Sequence, residues 1–185
     1  METNMTAGEI NPEEALRDCI GRVTAERRLE SVSASDIRRY IDATEDANPL
    51  WLDDEFAKSK GHRGRLLPPS LVAWEPFSRW TGTHSSDYRG DDLLKQIPFP
   101  QNYTDMRNAG SEIEWLRPIA LGEALSIQSR IVDIVVRQGK AGLGIYVTRE
   151  ERILDSDKKP VLLRRQTTVH LPQAAVADRD QHRVK

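Results

Sequence analysis

Apolar and polar residues alternate along this chain in more than one rhythm, and each rhythm predicts a different element. Residues 1–10 carry no rhythm and read as disordered. Residues 11–22 suggest a short helix with Pro12 in its first turn, where a missing N–H does no harm. Residues 28–32 suggest a brief strand. Ser33-Ala-Ser-Asp36 then offers an N-cap serine with an acid three residues on, a variant of the capping box. Ile37, Tyr40 and Ile41 follow at i, i+3, i+4 spacing, so one face of that helix is expected to be buried. The helix is expected to end near Thr44, because Asn48-Pro49 disfavours continuation.

A second short helix is expected over 53–59. Pro68-Pro69 punctuates the chain, and residues 70–81 are apolar or aromatic nearly all round, with Leu71, Val72, Trp74, Phe77 and Trp80. Such a helix is expected to be largely buried. Residues 82–108 are rich in Gly, Asp, Pro and Asn and read as a long irregular excursion. The last third then turns to strand patterns over 111–116, 124–136, 142–154 and 161–171, with turn sequences at 137–140 and 155–160. Three long strands joined by tight turns make an antiparallel meander. After Pro172 the tail is polar and is expected to fray. Helices first and an antiparallel sheet last mean an α+β chain. A curved sheet wrapped around one buried helix, the hot-dog arrangement, is the economical cover for 70–81. The expected organisation is an N-terminal extension over 1–26, one hot-dog domain over 27–172 and a tail over 173–185.

Composition narrows the functional classes. The chain has 185 residues, 38% hydrophobic and 30% charged, enough for one domain with a real core. Lys plus Arg number 27 against 29 Asp plus Glu, a net charge of -2, which argues against a general nucleic-acid binder. No apolar run approaches the roughly 20 residues that cross a bilayer. The N-terminus carries no signal-peptide core, so no membrane association and a cytoplasmic location are expected. The single cysteine, Cys19, sits in a helical pattern and reads as a packed small hydrophobe. Gly139-Lys140 lacks the upstream glycine of a phosphate loop, and no metal, nicotinamide or flavin motif is present.

Three local motifs carry more information than the pattern. Tyr40-Ile-Asp-Ala-Thr-Glu-Asp46-Ala-Asn48-Pro49-Leu50-Trp51, with Ala57 beyond, resembles the hydratase signature of the MaoC-like family. That signature contains Gly-Asp-x-Asn-Pro-Leu-His and a small residue six positions later. Gly64 to Ser70, ending Leu67-Pro68-Pro69-Ser70, resembles the segment that opens the central helix in the MaoC-type dehydratase N-terminal branch. Ala109-Gly110-Ser-Glu112-Ile-Glu114-Trp115-Leu-Arg117-Pro118-Ile119 with Gly122-Glu123 is similar to that branch's Gly-x-Glu-x-Glu-[Phe/Trp]-x-Arg-Pro segment. The resemblance spans roughly residues 27–172. It implies a hot-dog protein of the (R)-specific enoyl-thioester hydratase or dehydratase group, a lyase class of fatty acid metabolism. Its substrates would be acyl chains on coenzyme A or acyl carrier protein, with no further cofactor. In that family an Asp and a His hold a water and add it across the enoyl double bond, or remove it in reverse. Backbone N–H groups at the start of the central helix polarise the thioester carbonyl.

The chain departs from the signature at its chemical centre. Asp46 falls on the family's catalytic Asp and Asn48 on its supporting Asn, but Trp51 stands at the His and Glu45 at the preceding Gly. An indole has one donor and no acceptor nitrogen, so it cannot act as a base. Asp46 therefore has two readings, a direct catalytic role or a turn former beside Asn-Pro. Trp51 either plugs the site or packs beneath it. Of the four histidines, His62 is the candidate substitute at the mouth of the site and His84 a weaker one. His170 reads as a sheet residue and His182 as part of the tail. Pro69 and Ser70 open the central helix beside the substrate. Arg117 and Arg63, with Arg65, are candidate contacts for coenzyme A phosphates. The bland alternatives are an ion pair of Arg117 with Glu114 or Glu123, and solvated loop charges for the other two.

A lone hot-dog unit leaves a sheet edge exposed, so a dimer is expected. The missing His favours a heteromer, with this chain as the substrate-accommodating subunit beside a hot-dog partner carrying the full Asp and His. A homodimer using Asp46 with His62, and a non-catalytic acyl-thioester binder, are the alternatives.

Overall fold

The computed structural model describes residues 12–29, 31–74, 92–139 and 142–173. Short helices come first: α1 (Pro12–Arg17), α2 (Ala34–Thr44), α3 (Pro49–Leu52), α4 (Asp54–Ser59), α5 (Pro69–Trp74) and α6 (Asp92–Lys95), with the two-residue strand β1 (Arg27–Arg28) after α1. Four long strands follow: β2 (Asp105–Trp115), β3 (Ser126–Gly139), β4 (Gly142–Leu154) and β5 (Pro160–Leu171). All pair antiparallel in one five-stranded sheet of order β1-β3-β4-β5-β2. The α+β class and the β3-β4-β5 meander are as expected.

Local chemistry sets the helix ends. Ser33 caps α2 through a complete capping box: its hydroxyl accepts the Asp36 N–H at 3.2 Å, and the Asp36 carboxylate accepts the Ser33 N–H at 2.9 Å. Ile37 and Ile41 are buried and Tyr40 half-buried, as the spacing predicts. Asn48 and Asp53 cap α3 and α4 with their side-chain oxygens. The separate turn α3 is an addition to the expected elements, made possible by Pro49 at its first position.

Several limits differ from expectation: α1 covers Pro12–Arg17 rather than 11–22, β1 covers Arg27–Arg28 rather than 28–32, and β3 begins at Ser126 rather than 124. β2 starts at Asp105 rather than 111, because it is an edge strand exposed at most positions and so needs no apolar alternation. Its register shifts between Asn108 and Gly110, a bulge that hid the period from the pattern. β3 runs on through Arg137 to Gly139, which moves the expected turn to the Gly139–Gly142 end of the hairpin. The second turn falls where expected, with Asp155 Oδ1 accepting the Asp157 and Lys159 N–H groups. The central helix over 70–81 is described only to Trp74, and residues 82–91 and His84 lie outside the described residues, as does the tail with His182.

One face of the sheet packs against the helices in two apolar clusters. The first joins Ile37, Ile41, Trp51, Leu66 and Leu67 to Ile127, Ile153 and Leu162. The second joins Leu16, Cys19, Leu93 and Ile97 to Ile131, Ile134, Ile145 and Val147. Cys19 is fully buried there, as a small hydrophobe should be. On the same face between the clusters stand Arg149 and Glu151 of β4 beside Arg164 and Gln166 of β5, all on alternate residues. Arg149 bonds Gln166 Oε1 at 3.1 Å and Glu151 Oε1 at 3.2 Å, and Arg164 pairs with the other Glu151 oxygen. On the opposite face the buried Glu150 is ringed by Arg130, Arg152 and Arg165, each at 2.9–3.0 Å. Burial would raise that carboxyl, but the three guanidiniums hold it below the ordinary range.

His170 is a sheet residue, as expected. Its ring stacks on Phe99, with centroids 4.0 Å apart, and shares a hydrogen bond with Thr168 Oγ1 at 3.2 Å. Burial pushes it down from the ordinary 6.5 to about 4. Between those values the unfolded chain binds a proton that the folded chain refuses, so stability present above 6.5 is lost as pH falls toward 4. Urea unfolding of the native chain is expected to lose about 2–3 kcal/mol through this group between pH 7 and pH 4.5. His170→Leu should lose correspondingly less over the same interval.

Candidate active site

The hydratase-like motif lies where α2 gives way to α3. Glu45, the C-cap of α2, adopts φ 56, ψ 23, the left-handed conformation that glycine favours. The backbone before Asp46 thus keeps a glycine geometry although the residue is glutamate. Asp46 follows, half-buried, and Asn48 turns its Oδ1 onto the Leu50 N–H at 3.0 Å. That bond commits the Asn48 carbonyl to capping α3.

Capping fixes the direction of Trp51. Its side chain is buried in the first cluster, and its indole Nε1–H donates to Asp46 Oδ2 at 3.1 Å. The sequence left open whether the tryptophan plugs the site or packs beneath it; in the structure it packs in the core without filling the space beside it. It belongs to the core and lines an apolar slot of about 370 Å³.

Four segments build the slot. Leu50 and Trp51 come from α3, His62 from the loop after α4, Leu66, Leu67 and Pro69 from the chain entering α5, and residues 115–119 from the end of β2 and the stretch just beyond it. A short ribbon ties two of these together: Leu66 bridges Ala120, and the Leu67 N–H bonds Ile119 O at 2.8 Å. Trp115 and Leu116 are both exposed apolar residues, and the Trp115 indole N–H reaches Pro69 O at 3.4 Å.

The predicted site residues separate into three groups. Trp51, His62, Pro69 and Arg117 share the slot, with Asp46 hydrogen-bonded to the indole in its wall. Arg63 lines a neighbouring cavity instead. Ser70 is exposed at the start of α5 and lines neither. The slot's apolar walls were not singled out as site residues, although Trp115 at the end of β2 and Leu116 just beyond it left a signal as large exposed apolar residues.

Arg117 is firmly engaged. Its guanidinium pairs with Glu123 and with Asp155 Oδ2 at 3.0 Å, while Glu123 also accepts the Ala120 N–H at 3.1 Å. The Glu123 alternative raised by the sequence is therefore the pairing adopted. These carboxylates, Glu123 foremost, raise the Arg117 pKa further above its already high value. Burial would raise Glu123, yet Arg117 and the backbone donor hold it below the ordinary carboxylate range. With its head group committed, Arg117 stiffens the rim of the slot.

Chemically, the arrangement is an apolar pocket with a carboxylate sealed on one oxygen by a non-titrating donor. No group of three or more His, Cys, Asp or Glu side chains among the described residues could hold a metal ion.

Residues 18–164 match the family model described as FAS1-like, dehydratase domain region. The chain belongs to this family. The MaoC-like resemblance carried by its motifs is thereby upheld. The chain is 26% identical over 141 residues to the probable enoyl-CoA hydratase alpha subunit of Thermomonospora curvata, covering 74% of this chain and 44% of that protein. It thus spans less than half the length of that curated relative. The crystal structure of the ChsH1-ChsH2 complex from Mycobacterium tuberculosis matches with a TM-score of 0.71 at 21% identity, covering 87% of this chain and 91% of that one. A MaoC-like dehydratase from Rhodospirillum rubrum matches with a TM-score of 0.59 at 19% identity, covering 85% and 96% respectively. The fold is the hot-dog fold. No described helix is long and apolar enough to cross a membrane.

Two substitutions test this geometry by urea unfolding. Glu45→Gly relieves a left-handed non-glycine residue and is expected to stabilise the chain by about 1 kcal/mol. Trp51→Phe removes the bond to Asp46 while keeping an aromatic wall, and should cost about 1 kcal/mol. Trp51→Ala also empties the core beside it and should cost about 3–5 kcal/mol.

Proposed function

We propose that this chain is the substrate-accommodating subunit of an (R)-specific enoyl-thioester hydratase, or 3-hydroxyacyl-thioester dehydratase in reverse. It works beside a hot-dog partner that carries the complete Asp and His pair. The observation that carries this reading is the Trp51–Asp46 hydrogen bond. Hydration needs one group that takes a proton from water while another delivers one to the α-carbon. An indole N–H can do neither, and here it engages Asp46, the carboxylate at the family's catalytic position. The apolar slot beside it nevertheless stays open, about 370 Å³ in volume and walled by Leu50, Leu66, Leu67 and Ile119. That is the pattern of a pocket kept for an acyl chain after its proton chemistry has passed elsewhere.

The exposed edge supports a partner. β2 presents 11 residues along one side of the sheet, pairs among the described residues only with β5, and is exposed at most positions. Unsatisfied edges invite a second strand. That the similar enoyl-CoA hydratase chain is named an alpha subunit, and that the similar solved structure is of a complex, supports the same reading.

A second reading rests on His62. Its side chain lines the same slot as Trp51, so a homodimeric hydratase using Asp46 with His62 has a geometric basis. The third reading, an acyl-thioester binder without turnover, needs the slot alone.

Hydration of a 2-enoyl-CoA, followed at the absorbance of its conjugated double bond, separates the three. The pure chain is expected to be inactive. Adding a hot-dog partner with an intact Asp and His should restore turnover, and Asp46→Ala in this chain should leave that turnover within about twofold. Activity of the pure chain that both Asp46→Ala and His62→Ala abolish would reverse the first two readings. Thioester binding without turnover under every partner condition would select the third.

A further inference from the structure

The two edges of the sheet differ in their cover. Part of the β3 edge is taken by this chain's own N-terminal stretch. The Gly21 N–H bonds Ile131 O at 2.8 Å, the Thr24 N–H bonds Ser129 O at 2.9 Å, β1 pairs with Ser126 and Ile127, and the Leu29 N–H bonds Leu125 O at 2.9 Å. The β2 edge has no such cover among the described residues. A further strand can therefore add at β2 but not along 125–131 of β3.

Charges on the outer face of the sheet set what kind of strand fits. Arg130 of β3, Glu150 of β4, Arg165 of β5 and Glu112 of β2 stand in direct opposition across the four strands. Their signs alternate, the arrangement that cross-strand neighbours favour. Glu112 ends this row at the open edge, because Arg165 is bonded to Glu150 at 3.0 Å. Glu114 lies two residues on, opposite Leu163. Both glutamates are exposed, and neither has an ion pair or side-chain hydrogen bond among the described residues. Between them the half-buried Ile113 packs against the first apolar cluster. The open edge thus presents two uncompensated acids flanking an apolar position.

A second copy of this chain answers that pattern badly. β2 carries one cation, Arg107, against three acids, Asp105, Glu112 and Glu114, and Arg107 already bonds Asp105 Oδ2 at 2.7 Å. The bulge at Ala109 brings all four onto the outer face together with Gly110. Two copies paired antiparallel about a two-fold axis at Gly110 would set Arg107 against Glu112, but Asp105 against Glu114. With the axis at Ser111, Arg107 meets Glu114 and Glu112 faces a glycine. In neither register do both acids meet a cation. We infer that the β2 edge docks the edge strand of a non-identical chain with Lys or Arg at two alternate positions facing Glu112 and Glu114, and that these acids hold copies of this chain apart. The inference rests on the subunit reading above for the existence of a partner, and adds the chemistry by which that partner is chosen over a second copy.

Sedimentation velocity of the full chain at about 50 mM salt, where exposed charges are little screened, tests this. The wild-type chain is expected as a monomer of 21.0 kDa. Glu114→Lys makes the chain its own basic-edged probe: it turns each Asp105–Glu114 clash of the Gly110 register into an ion pair, and should tighten self-association by about 10- to 100-fold. An equimolar mixture of variant and wild type should fall between the two. Adding Arg107→Glu to Glu114→Lys sets acid against Glu112 and should return the monomer. Should Glu114→Lys misfold by circular dichroism, Glu114→Gln replaces it, since it removes the clash without adding a cation and should tighten self-association by about 3- to 10-fold. The idea is overturned if the wild-type chain dimerises as tightly as the Glu114 variant, if that variant associates no better than wild type, or if Arg107→Glu leaves its dimer intact. No turnover is read. Failed hydration beside every hot-dog partner, with the charge response intact, sinks the hydratase reading and upholds the edge; restored hydration with a wild-type homodimer sinks the edge inference alone.

Discussion

One hydrogen bond, from the Trp51 indole to Asp46, ties the fold of this chain to its chemistry. The bond depends on Asn48 capping α3, on the left-handed turn at Glu45 and on the burial of Trp51 among Ile37, Ile41 and Leu67. A tryptophan at this place fills the core more fully than an imidazole would, and in doing so removes the only titratable partner the motif offers Asp46. Stability and loss of acid–base capacity follow from the same side chain. What persists is the pocket wall.

The clamp at Arg117 plays a comparable part on the other side of the slot. Glu123 and Asp155 come from two different turns, so one guanidinium joins the end of β2 to the hairpin between β4 and β5. Ion pairs at a surface contribute little on average, but a half-buried arginine held by two carboxylates is a better case. The rim that carries Trp115, Leu116 and Pro118 is therefore fixed by charges and the floor by hydrophobic contact.

Elements whose apolar period matched their burial were legible in the sequence. The capping box at Ser33, the buried face of α2, the limits of β4 and the turn at Asp155 all follow from spacing and side-chain chemistry. β2 escaped in part because an edge strand with a bulge needs no alternation, so 105–108 reads as loop. The motif singled out Asp46 and Trp51, and the chemistry of indole already ruled out a base. Contact between them was not legible, since it depends on the αL turn at a glutamate, where a pattern would seek glycine. The bond of Arg117 to Asp155 was equally hidden, for the two residues are 38 positions apart in sequence. The division of Arg63 from His62 follows from the bend of the backbone at 63–64, which leaves no period in the sequence.

The buried charges between the two apolar clusters have a consequence for how the sheet assembles. Along the core face of β4 apolar Ile145, Val147 and Ile153 stand at both ends, opposite Leu162 at one end of β5 and Thr168 and His170 at the other. A sliding of one strand past the other by two residues would keep every side chain on its own face. Such a slide would set Arg149 opposite Arg164 in one direction, or Arg164 opposite Ile153 in the other. Either leaves a desolvated charge without its counterion, a penalty of several kcal/mol that hydrophobic contact alone would not impose. Glu151 thus acts as a proofreading mark: oily residues tell the strands to stack, and one acid between two bases tells them where to stop.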